Sequence, residues 1–256
     1  MCALDENGVG EMTVVSICSE AYRANACQGD DGNLYLTYDA YVDGAYHTLA
    51  RACTAQGWTE EIQLDNTDEW TCQSHVIASD HGATVCWYTF GYGATFSVCS
   101  ADICVKEGTL VAQAPITIAH NVGWYMDLTA ASKDGLQILC YTWGKDAVQL
   151  RYRRNGGNWS EPAMMSYEDI HCAVHPSIYI GENEEILMAW QFAFRNNTRQ
   201  NIIIFQSPDV IYQICSCFDS CFCHISFIGI NRNRNIKSFL YCFNGRYNSL
   251  NFFFIT

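Results

Sequence analysis

Acidic, aromatic and histidine side chains gather at intervals along this 256-residue chain, in combinations suited to a ligand rich in hydroxyl groups. Glu20 and Arg23 come first, then Asp39, Tyr41 and Asp43, then Asp68, Glu69, Trp70 and His75. Trp124 and Asp127 follow, and Glu168, Asp169, His171 and His175 close the series. Aromatic faces stack on sugar rings, carboxylates accept hydrogen bonds from hydroxyls, and two carboxyl groups facing across a pocket can run acid–base chemistry at a glycosidic bond. His171 and His175 would form a metal pair only on a helix, and the proline at 176 makes that segment extended, so no metal is expected there.

These groups need a scaffold, and the scaffold announces itself as a repeat. GNLYLTY from Gly32, GATVCWY from Gly82, GLQILCY from Gly135 and EEILMAW from Glu184 align without gaps, their starts 50, 53 and 49 residues apart. Six residues into each stands an aromatic: Tyr38, Tyr88, Tyr141 and Trp190. Upstream lies a short apolar stretch (SHVIAS, DLTAAS, PSIYIG), and downstream a polar turn leads to a third alternating strand (AYHTLARA, ATFSVCSA, AVQLRYRR, NIIIFQ). GWTEEIQL and NWSEPAMM supply a fourth element in two copies, with Trp58 and Trp159 at matching structural positions. Four short strands joined by glycine turns, repeated at this period, predict an all-β fold: a β-propeller of four-stranded antiparallel blades, about four of them, forming an incomplete ring. Residues 11–26 are expected to be no more than the remnant of an earlier blade, and the fourth copy is expected to stop after its third strand. In a propeller the loops between blades, and those between second and third strands, share one mouth of the channel, which is where the nominated residues fall.

Composition narrows the partners. Fourteen basic against 27 acidic residues give a formal charge of -13, which repels phosphate backbones and anionic lipid, so neither nucleic acid nor membrane is expected as a partner. No apolar run is long enough to span a bilayer, and the N-terminal MCALDENGVGEM lacks the basic and apolar regions of a signal peptide. That places the chain in the cytoplasm, unless it is a fragment whose leader lay upstream. The 15 cysteines are scattered, many of them inside apolar strands, and read as small buried hydrophobes, with disulfides among some of them as the alternative. No phosphate loop, nucleophile elbow or HExxH helix occurs, and no cofactor is expected.

The runs LYLTYDAYVDGAYHTLARACTAQGWTEEIQL and HPSIYIGENEEILMAWQF resemble the blades of bacterial sialidase-like propellers of the BNR-repeat type, over residues 11–206. That resemblance implies a glycan-recognising propeller domain. The alternatives are an active glycoside hydrolase of exo-sialidase kind and a scaffold that docks proteins on its rim. The chain departs from the family in lacking both the Asp-box, Ser-x-Asp-x-Gly-x-x-Trp, and the Arg-Ile-Pro segment, so no arginine triad carries over.

After Gln206 the pattern breaks. Residues 1–206 are read as propeller blades and 207–256 as a Cys-, Phe-, Ile- and Asn-rich tail, either a diverged blade, an appendage or the product of a shifted reading frame. Within it Cys215, Cys217, Cys221, Cys223 and His224 are soft ligands, but their spacing does not match structural zinc sites.

Overall fold

A computed structural model describes residues 4–5, 8–9, 14–16, 20–65, 70–90, 96–122, 127–144, 147–165, 171–181 and 186–193, and strands within 200–251. It divides into two compact units, Met1–Ile118 and Ala119–Thr256. Among the described residues every regular element is a strand, and no helix is long and apolar enough to cross a membrane. The fold is all-β, built from the antiparallel blades of a β-propeller.

The first unit holds two blades. Ala21–Gln28, Leu34–Val42 and Ala45–Thr54 pair antiparallel in that order, and the short strands Gly57–Trp58 and Ile62–Gln63 complete the first blade against the third strand. Trp70–Ser79, Gly82–Phe90, Phe96–Lys106 and Thr109–Ala112 form the second. In the second unit, Leu128–Lys133, Leu136–Trp143, Ala147–Arg154 and Ala163–Met164 form a third blade. His171–Ile180, Ile186–Ala193, Gln200–Gln206 and Ile211–Cys217 form a fourth.

Two expectations need correction. Ala21–Gln28 is no remnant but the first strand of the first blade, and the fourth copy continues past its third strand through Ile211–Cys217. The chain beyond it adds Phe222–Ile230, Leu240–Asn244 and Ser249–Asn251 to the same antiparallel sheet.

Local sequence fixes the hairpins. Asp43-Gly44, Glu107-Gly108, Asp134-Gly135 and Asn155-Gly156 each take positive φ at both positions, the conformation of a type I′ turn, whose twist matches that of the flanking strands. Alternation along the strands then sorts side chains onto two faces. From the first blade, Tyr35, Ala50 and Ala52 pack with Val76, Val85, Trp87, Ala101 and Ile103 of the second in one buried cluster. In the second unit Leu136, Ile138 and Cys140 meet Ile180 and Met188 in the same way. The aromatic column behaves as the repeat implies: Tyr38, Tyr88 and Tyr141 are fully buried, each contributing roughly 2–3 kcal/mol through lost water contact. The Trp190 side chain lies outside the described residues.

Trp58 and Trp159 brace the outer edges. Arg51 lies over the Trp58 ring at 5.6 Å and donates from Nε to the Thr59 carbonyl at 2.8 Å. In the third blade Arg153 covers Trp159 at 4.8 Å while Arg151 donates to the Ser160 carbonyl at 2.7 Å.

Gly82 has the least room of the described glycines in the first unit. At φ 150° its missing Cβ would fall 2.3 Å from the Ile103 carbonyl oxygen, where the second and third strands of the blade meet. The contact leaves no room for any side chain. Gly82→Ala is therefore expected to cost about 2 kcal/mol or more, read as a lower urea midpoint with an unchanged slope.

Candidate functional site

The site grows out of a backbone irregularity shared by the two blades of the first unit. Register shifts fall between Tyr22 and Asn25 in the first strand of the first blade, and between Cys72 and His75 in the first strand of the second. Arg23 at φ 52° and Gln73 at φ 59° stand at the bulges, at equivalent positions of the repeat. A bulge turns backbone N–H groups out of the ladder, and they need another acceptor.

Asp39 supplies it. From the second strand of the first blade its carboxylate accepts the Gln73 N–H at 2.7 Å and the Ser74 N–H at 3.3 Å, both on the second blade. Arg23 approaches the same carboxylate at 3.9 Å, its own side chain half exposed. Burial pushes the Asp39 carboxyl above the usual carboxylate range, against the opposing pull of the two N–H donors and of Arg23. Further along the joint, Asn25 Oδ1 accepts the Val76 N–H at 3.0 Å, and the Thr48 and Thr71 hydroxyls meet at 3.1 Å.

A second buried acid closes the blade's outer loop. Asp65 takes Nδ1 of His47 at 2.6 Å on one oxygen and the Thr48 N–H at 3.1 Å on the other. Burial raises this carboxyl too, in opposition to the pull of His47.

Above the joint runs a chain of aromatic rings. Tyr41 and Tyr46, directly opposed across the Asp43-Gly44 hairpin, lie 5.0 Å apart between centroids. Tyr46 also meets Tyr22 at 6.1 Å and Trp70 of the second blade at 5.4 Å; Trp70 continues to Phe90 at 5.5 Å, and Phe90 to Phe96 at 5.6 Å. Tyr22, Tyr41 and Trp70 keep 47%, 42% and 41% of their surface exposed. Beside Tyr22 opens a cavity of about 470 Å³ whose lining includes Val15, Arg23, Asn25, Leu36 and Tyr38.

The nominated residues separate by unit. Glu20, Arg23, Asp39, Asp43 and Trp70 come together in the first unit, Glu20 through its carbonyl, which accepts the Tyr41 N–H at 3.1 Å. Glu20 and Asp43 are exposed, whereas Asp39 is buried and serves as the support beneath Arg23 and the bulge. His75 lies on the same strand as the second bulge, and burial lowers its pKa, favouring the neutral ring. Asp127 belongs to the second unit, its backbone paired with Thr142. Asp68, Glu69, Trp124, Glu168 and Asp169 lie outside the described residues, as do the side chains of His171 and His175. The cysteine-rich stretch of the tail is outside the described side chains as well; among the described residues no three His, Cys, Asp or Glu side chains gather as a metal site would require. Tyr22, Tyr46, Asn25 and Phe90 were not nominated, although the opposition of Tyr41 and Tyr46 is implicit in a two-residue turn at Asp43-Gly44.

No family model matches the chain, and no curated protein matches it. Solved structures do. The structure of Penicillium chrysogenum alpha-L-arabinanase complexed with arabinobiose superposes with a TM-score of 0.53 at 11% identity, covering 82% of this chain and 78% of that one. Trypanosoma rangeli sialidase in complex with the inhibitor DANA gives 0.50 at 8% identity, covering 97% of this chain and 56% of the sialidase, so the chain spans little more than half of that protein. At such identities the likeness defines the fold, a sialidase-like β-propeller.

Asp39 has a testable signature. A carboxyl whose pKa is raised by folding binds its proton more tightly in the native state, so its contribution is greatest below the ordinary carboxylate pKa of about 4 and fades as pH rises through the higher native value. The stability of the native chain relative to Asp39→Asn is therefore expected to decline from pH 4 to neutrality. Urea titrations of both proteins across that range measure it, and a difference that grows with pH contradicts the assignment.

Proposed function

We propose that this chain is a glycan-recognising propeller domain of the BNR-repeat, sialidase-like kind, binding sugar at the bulged end of its first unit. The observation that carries the reading is the cavity of about 470 Å³ lined by the exposed Tyr22 ring and by Arg23, with the exposed Trp70 ring reached from Tyr22 through Tyr46. Its size falls within the roughly 300–1,000 Å³ typical of small-ligand sites. Tyr and Trp are rigid and amphipathic, offering a face for the C–H surface of a sugar while losing little conformational entropy. Arg23 is held in place from below by Asp39 and Asn25 by the Val76 N–H, so polar groups around the cavity are positioned before any ligand arrives. The neighbours support a sugar as the ligand class, since one structure holds arabinobiose and the other a sialidase inhibitor.

Charge selects among sugars. A net charge of -13 and the exposed acids near the rings disfavour anionic saccharides, leaving neutral ones as the preferred ligands. A glycan array probed with the purified chain is expected to return neutral saccharides. Tyr22→Ala is expected to weaken those hits by about tenfold or more, while changing stability by only about 0.5 kcal/mol, because the ring is exposed. An array without signal above background removes the reading.

A further inference from the structure

We infer that the natural ligand is an extended neutral glycan whose rings turn from one residue to the next, laid from the cavity along the aromatic rings onto the second blade. The inference rests on the glycan reading and specifies the ligand class. Its starting point is Tyr22, which both lines the cavity and touches Tyr46, so that cavity and rings form one continuous surface.

From there the rings are spaced like residues of a polymer. Tyr22, Tyr46, Trp70 and Phe90 follow one another at 6.1, 5.4 and 5.5 Å, close to one sugar ring per step. A single terminal sugar would need the cavity and one ring; it gives no account of exposed aromatic surface carried onto a second blade. Soluble proteins seldom leave large apolar side chains grouped at the surface without a partner for them. Here the exposed rings of the path are Tyr22 and Trp70, with Tyr46 and Phe90 half-buried between and beyond them, and the exposed acids Glu20 and Asp43 lie on the same blade as Tyr22.

Ring orientation narrows the class. The interplanar angles along the path are 62°, 67° and 62°, so no two successive rings form a flat shelf. A glycan that stays flat as a ribbon meets one ring face and then departs from the next. A chain that winds, rotating each sugar relative to the last, can present a face to each ring in turn.

Calorimetric titration of the full chain with xylose, xylotriose, xylohexaose and cellohexaose tests this, since xylo-oligosaccharides wind and cello-oligosaccharides extend as flat ribbons. The expected result is a Kd for xylohexaose about tenfold or more below that for xylose, with cellohexaose gaining less than about threefold over xylose. Trp70→Leu, which keeps apolar bulk at the same position, is expected to cut the ratio of xylose Kd to xylohexaose Kd to less than about threefold; cooperative thermal unfolding checks that the variant is folded, and a ratio that stays at about tenfold overturns the path along the rings. Measurable binding that does not vary with length overturns the extended chain while leaving the cavity reading intact. An equal gain for cellohexaose overturns the winding geometry, and no binding of any of the four overturns this inference while the glycan array decides separately on the glycan reading.

Discussion

Two backbone N–H groups, turned out of their own sheet by a bulge, are satisfied by one carboxylate on the neighbouring blade, and the arrangement of the first unit depends on that contact. Without Asp39, the half-buried Gln73 N–H and the buried Ser74 N–H would lose their acceptor, at a cost of about 1–3 kcal/mol for the buried one. The apolar cluster between the blades is non-directional and would tolerate sliding. The carboxylate is directional and fixes how the blades meet at the end where the rings lie. Thus one polar joint sets the spacing of Tyr46 to Trp70, the step at which the ring path crosses from one blade to the other.

Much of this architecture was legible because repetition amplifies weak local signals. Gly32, Gly82 and Gly135 mark second strands, and the paired turn residues at 43–44 and 134–135 sit where the hairpins close. The elements that escaped notice lack amplification. Ala21–Gln28 is exposed along most of its length, so its sequence AYRANACQ shows no apolar alternation from which a strand could be read. Thr109–Ala112, the fourth strand of the second blade, is only four residues long and has no tryptophan like those at 58 and 159.

The candidate site was legible in part, and the division has a physical cause. Loop position nominated Glu20, Arg23, Asp43 and Trp70, because turns and strand ends have recognisable chemistry. Tyr22, Tyr46 and Phe90 lie within strands, where an aromatic reads as core. Whether such a ring is buried or forms part of a surface depends on the neighbouring blade, a relation that no local pattern encodes. Asp39 shows the converse: an acid nominated for contact with a ligand is buried, and its effect reaches the surface through Arg23 and the bulge.

The cysteines carry a last consequence. The seven whose side chains are described are thiols, and burial holds Cys27 and Cys72 protonated, pushed up to about 12, with Cys140 displaced in the same direction. A protonated, enclosed thiol is a poor nucleophile, so the native sheets keep these sulfurs inert. Unfolding removes that protection at once. The chain's 15 cysteines, returned to ordinary acidity, would then be open to oxidation and cross-linking. The lifetime of this protein under oxidising conditions is therefore governed by the small fraction of chains that stand open at any moment, multiplied by the rate at which their exposed thiolates oxidise.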